Sequence, residues 1–180
     1  IMQSIFMPTM AIAFAVGPII GQNFGAGLGG RVQDTFNKGI LLSSMVMAVT
    51  TVLLLLRPEL LVTFFTSDEE VILVAAGFLQ LISLNFIAQG IVFTCSGVFQ
   101  GLGNTQPALL SSVIRLSIFI PIAVYLKYQP GFTIEQVWYV SILSVTVQGV
   151  VSYLLVRREL AIKLKNLKPD PELSLELDAT

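Results

Sequence analysis

The sequence predicts an all-α fold, a polytopic membrane helix bundle with five transmembrane helices, and three observations carry that prediction. Apolar residues make up 54% of the chain and charged residues only 12%, with a mean hydropathy of +0.84, well above a water-soluble domain. Charges gather at residues 31–38, 57–70, 127–135 and from 157 onward rather than spreading over solvated helix faces. Between these clusters lie apolar runs of the length a helix needs to cross a bilayer, about 20 residues.

The first run covers residues 1–25 and closes in GPIIGQNFGAG at 17–27, where Gly21, Gly25 and Gly27 surround Gln22 and Asn23. It opens on Ile-Met-Gln-Ser without the basic n-region and small-residue cleavage site of a signal peptide, so the chain is read as entered partway through a helix of a longer protein. The second run, 39–56, follows the charges from Arg31 to Lys38, with Arg31 anchoring a short loop at the headgroups. Before the third run, 71–99, stands Ser67-Asp68-Glu69-Glu70, which predicts a capping box with Ser67 as N-cap and Glu70 reaching back. Asn104 and Thr105 precede Pro107, a residue suited to a first helical turn, ahead of the fourth run at 108–126. Thr133 and Gln136 repeat the box spacing before the fifth run at 136–156. Residues 1–160 thus form the transmembrane region, and 161–180, mixing Lys, Glu, Asp and two prolines, form a solvated tail.

Summing Lys and Arg over alternate connections orients the bundle, since basic residues are retained on the cytoplasmic side. One side holds Arg31, Lys38, Arg115, Arg157, Arg158, Lys163, Lys165 and Lys168; the other holds Arg57 and Lys127. The C-terminal end is therefore expected in the cytoplasm, and the protein in a bacterial-type inner or plasma membrane as a multi-pass protein.

Several function classes fall away. Net charge is −1, so no basic surface argues for nucleic acid. The chain has no His and a single Cys, Cys95 in an apolar run, so neither a histidine-based nucleophile nor a cysteine metal site can be built from these residues. No Asp or Glu lies in the five runs, which removes a carboxylate dyad and a proton-relay acid. The chain is not expected to be an enzyme, and no cofactor is expected.

Neutral polar residues concentrate in the third run: Gln80, Ser83, Asn85, Gln89, Thr94, Ser96 and Gln100. Asn85 and Gln89 share a helical face that Ser96 and Gln100 roughly continue. Two readings stand side by side, a stripe lining a substrate or ion pathway and hydrogen bonding between helices. Arg115 lies near its helix start and snorkels to the headgroups. Pro18 and Pro121 fall inside helical runs and kink them. Gly97 with Gly101, and Gly21 with Gly25, form small-xxx-small pairs that admit a close neighbour.

Two stretches taken together, GQNFGAGLGGR at 21–31 and GVFQGLGNTQP at 97–107, resemble the multidrug and toxic-compound extrusion (MATE) family. In that family each homologous lobe has a helix ending in Gly-Gln-x-x-Gly-Ala-Gly with a following Arg, and a later helix closes in G-x-x-x-G-x-G-(Asn/Asp)-Thr-x-x-Pro. The resemblance runs to about Leu160. It implies a twelve-helix antiporter in two lobes that exports cationic or amphipathic compounds against a proton or sodium gradient, of which this chain is the end of helix eight through helix twelve. The expected partners are therefore membrane lipid, an N-terminal lobe outside this chain, and small organic cations.

On that resemblance Gly21, Gln22, Asn23, Gly25, Gly27, Arg31, Gly97, Gly101, Gly103 and Asn104 form helix-end and hinge motifs rather than cargo contacts. The glycines give a sharp backbone exit, and Gln22 and Asn23 are expected to satisfy carbonyls freed at the helix end. One departure stands out. Many family members carry an acidic residue in the helix corresponding to 71–99, whereas here the best-placed polar residue is Gln89, whose carbonyl can coordinate Na⁺ but whose amide does not exchange a proton near neutrality. The titrating carboxylate is then expected in the other lobe. Alternatives are a lipid-linked saccharide flippase of related architecture, which would call for several cavity-lining cations, and a non-transporting remnant or scaffold subunit.

Overall fold

A computed structural model describes residues 2–165 and Leu167. Among these residues seven α-helices follow in order: α1 (Met2–Gly25), α2 (Gly29–Leu56), the short α3 (Pro58–Val62), α4 (Glu69–Ile82), α5 (Phe86–Gly101), α6 (Gln106–Lys127) and α7 (Ile134–Lys165). A 3₁₀ turn at Ser83–Asn85 joins α4 to α5, so the two make one crossing. Five segments are long and apolar enough to span a membrane, and no strand occurs among the described residues.

α5 is the hub. It packs against α1, α2 and α7, while α6 leans on α7 and touches little else. Val16 and Ile20 of α1, Phe36 of α2, Cys95 and Phe99 of α5, and Val156 and Leu160 of α7 meet in one buried cluster. Towards the other end a second cluster joins Ile5, Met47, Leu54, Val62, Leu79 and Phe86. Outward positions such as Phe14, Leu41, Met45, Val49, Leu73 and Leu109 are exposed yet apolar, the surface that hydrocarbon accepts because the helices satisfy their own backbone groups.

Several boundaries differ from those the sequence predicts. α2 begins at Gly29, not residue 39: Val32, Phe36 and Gly39 recur at helical spacing and are buried, so the charges between them occupy the outer face of a helix already packed. Arg31 accordingly lies exposed in the first turn of α2 and not in a loop. α7 likewise continues to Lys165, because Val156 and Leu160 keep one face in the core beyond the predicted end. The tail read over 161–180 is thus helical through Lys165; residue 166 and residues 168–180 lie outside the described residues.

The cap before α4 is Asp68 rather than Ser67. The Asp68 carboxylate accepts from the N–H groups of Glu70 and Val71 at 3.0 and 3.4 Å. Its own N–H donates to Thr66 Oγ1 at 3.2 Å, which sets the entry to the helix. Pro107 sits in the first turn of α6 as expected, but Thr105 caps it without a side-chain bond. Between α4 and α5, Ser83 Oγ donates to Gln80 O at 2.7 Å and Ser83 O accepts from Thr51 Oγ1 of α2 at 3.0 Å. This second bond draws a carbonyl towards α2 where the helix tightens into 3₁₀ geometry.

Candidate functional site

The site is built on two helices that end alike. In α1 the Leu28 N–H donates to Asn23 O at 2.9 Å and the Gly27 N–H to Phe24 O at 3.2 Å; in α5 the Asn104 N–H donates to Phe99 O at 3.0 Å and the Gly103 N–H to Gln100 O at 3.0 Å. Both are Schellman ends, which need a left-handed residue just past the helix. Gly27 and Gly103 supply it, with φ of 73° and 70°. The last glycine of each G-x-x-x-G-x-G motif therefore has a shared geometric reason.

The same glycines bring the helices together. A β-carbon built on Gly97 would come within 2.4 Å of the Ala13 carbonyl oxygen, and one on Gly21 within 3.2 Å of that of Gly101. Gly17 faces Gly97 as Gly21 faces Gly101, so α1 and α5 run parallel with backbones in contact. The pair that meets Gly97 and Gly101 is thus Gly17 and Gly21. Gly25, which the spacing pairs with Gly21, is exposed with open space around it. Asn23 Nδ2 donates to Ile19 O at 2.8 Å, a carbonyl inside α1 and not one freed at the helix end. Gln22 is exposed and makes no side-chain hydrogen bond among the described residues.

α7 straps both turns from above. Lys163 Nζ donates to Leu102 O at 2.7 Å, satisfying a carbonyl at the end of α5, and stands 5.5 Å from the Phe24 ring centroid of α1. Glu159 accepts from Asn104 Nδ2 at 2.8 Å and lies 3.7 Å from Lys163. A cation at a helix C-terminus opposes the negative end of the dipole. Leu164 and Leu167 close over Gly29, the first residue of α2. Sequence reasoning placed Asn104 in the motif but missed Glu159 and Lys163; their i,i+4 spacing was the available signal.

Of the polar stripe, Asn85 lies buried in the 3₁₀ turn with its Oδ1 unpartnered among the described residues. Gln89, Ser96 and Gln100 follow one another along the less buried face of α5, with Phe93 between them. Ser96 Oγ donates to Val92 O at 2.9 Å. Ser96 and Gln100 border a groove against Phe14 of α1, and its wider part, about 480 Å³, runs on along Gly17, Pro18 and Gly21. Thr94, by contrast, is turned inward, donating to Ser43 Oγ of α2 at 2.9 Å. Gln148 of α7, a residue that sequence reasoning passed over, is buried and donates to Ser112 Oγ at 3.3 Å. Its position inside an apolar run was the clue. Among the described residues no three His, Cys, Asp or Glu side chains converge on a metal-sized site.

A solved inward-facing structure of a multidrug-resistance MATE family transporter of the MOP superfamily is similar to this chain, with a TM-score of 0.77 at 17% identity. The likeness covers 91% of this chain and 38% of that transporter, so the chain spans well under half of its length. No curated protein matches. The MatE family model matches residues 1–125, a stretch that holds both glycine motifs and the parallel helices they join. This chain is accordingly a member of the MatE family, a family of multi-pass membrane transporters.

Proposed function

We propose that the chain supplies five helices of a secondary antiporter that exports drugs or toxic organic cations by alternating access, driven by a proton or sodium gradient. The observation that carries this reading is the face of α5 on which Ser96 and Gln100 border the groove against α1, with Gln89 further along the same face. Such a face offers carbonyl and hydroxyl oxygens to a cation and aromatic surface, from Phe14 and Phe93, to its apolar body. Substrate and ion sites of secondary transporters lie where two repeats meet, and rigid rocking of one against the other exposes them in turn. The close backbone contact of α1 with α5, and the α7 strap over their ends, suit a lobe that moves as one body.

On this reading an N-terminal lobe closes the cavity, the glycine turns face the cytoplasm, and the protein sits in an inner or plasma membrane. With an amide at position 89, the lobe binds a cation through oxygen and leaves proton exchange to a carboxylate elsewhere. Ethidium efflux from an efflux-deficient bacterium carrying the full-length chain tests it. Efflux that collapses when either the proton or the sodium gradient is dissipated is expected, and so is its loss in Gln100→Leu. Absence of cation efflux under both gradients would overturn the reading.

A further inference from the structure

A second groove lies at the end of the bundle opposite the glycine turns, with a volume of about 520 Å³. Its walls come from three elements: Ile5 and Pro8 of α1, Leu53 and Leu56 of α2, and Leu60 and Leu61 of α3, with Phe65 closing one side. Arg57 stands at its rim. That residue links α2 to α3 outside the helical region, with φ −145° and ψ 67°, which turns α3 away from the line of α2 and opens the groove beneath it.

The chemistry around the groove is lopsided. Thr50 Oγ1 is spent on Val46 O at 2.9 Å, and apart from Ser4 and Arg57 the walls are otherwise apolar. Arg57 is exposed and forms no ion pair among the described residues, although Glu59 is only two positions away. The guanidinium lies where the apolar run of α2 stops, the level at which a spanning helix meets headgroups. Among the described residues Lys127 is the one other basic residue at this end, which also carries Glu59, Asp68, Glu69, Glu70 and Glu135. An amphiphile with an anion at one end and a hydrocarbon chain behind it fits that order along the membrane normal. A packed helix would instead have to bring a carboxylate to meet Arg57.

We propose that this groove holds one anionic phospholipid, its phosphate on Arg57 and an acyl chain between α1, α2 and α3. A planar guanidinium matches two phosphate oxygens at once, and the groove lies in the size range of small-molecule sites. The assignment is independent of what the transporter carries.

Native mass spectrometry of the full-length transporter in detergent, titrated with phosphatidylglycerol or phosphatidylcholine, tests it. Phosphatidylglycerol is expected to bind more tightly, with Arg57→Gln weakening that binding about ten-fold, the scale of one charged hydrogen bond, and Lys127→Gln leaving it in place. Leu53→Trp, which fills the groove from a lipid-facing position, is expected to weaken both lipids. Arg57→Gln that binds phosphatidylglycerol like the native chain would overturn the site. So would a photoreactive side chain at Leu61 that cross-links to another polypeptide segment and not to lipid.

Discussion

A β-carbon placed on Gly101 would stand 2.3 Å from the carbonyl oxygen of Gly17, on the helix beside it. No side chain fits there unless α1 and α5 separate. Gly101→Ala is therefore expected to lower stability by about 1–3 kcal/mol, the range for overpacking a rigid contact. Thermal unfolding in detergent would read this as a lower Tm, with Gly25→Ala, which meets nothing within 4 Å, as the control that keeps most of it.

Gly103 isolates a different cost. It adopts φ +70° with open space around it, so Gly103→Ala strains only the backbone, by about 1–2 kcal/mol. Gly103→Asn should recover part of that loss, because Asn tolerates the left-handed region better. Equal Tm values for the Ala and Asn variants would argue against the Schellman end as the source.

Within the strap, Lys163 and Glu159 separate two contributions. Lys163→Met leaves the Leu102 carbonyl without its 2.7 Å donor, a loss of roughly 1 kcal/mol or more. Glu159→Gln keeps an oxygen for Asn104 and loses only a 3.7 Å ion pair between partly exposed groups, worth a few tenths of a kcal/mol at most. Chemical denaturation should rank Lys163→Met well below Glu159→Gln, and the reverse order would mean that charge pairing holds the strap.

Gln89→Glu tests the pathway directly. A carboxyl here adds a titrating group to a half-buried face that otherwise has none. Its charge then accumulates as pH rises, and cation binding at α5 strengthens in that direction. Ethidium efflux measured from pH 6 to 8 should gain a dependence beyond that of the native chain, and an unchanged profile would place Gln89 away from the pathway.

The five crossings were legible because hydrocarbon imposes one length and one composition on any helix that spans it. The glycine pair Gly97 and Gly101 was legible too, but their partners were not: nothing local tells that Gly17, and not Gly25, faces α5, since that depends on the register between two helices. The start of α2 was hidden by Arg31 to Lys38, where a charged outer face looked like a connection. The Asn104–Glu159–Lys163 tie escaped for the opposite reason to the cap at Asp68. One joins residues far apart in sequence, and the other turns on which of two adjacent oxygens the chain happens to aim at the helix.

The three residues of 3₁₀ turn at Ser83–Asn85 act as a rotary coupling inside a single crossing. Relative to continuous α-helix they advance the side chains by roughly 60° and lengthen the rod by about 1.5 Å. The first half of the rod is tied to α2 by Gln80 Nε2, which reaches Leu55 O at 3.1 Å, and the second half to α1 and α2 together, where Gln100 lines the groove with Gly17 and Thr94 meets Ser43. Each half keeps its own angular setting, and a residue inserted or removed at Leu84 would re-index one without turning the other.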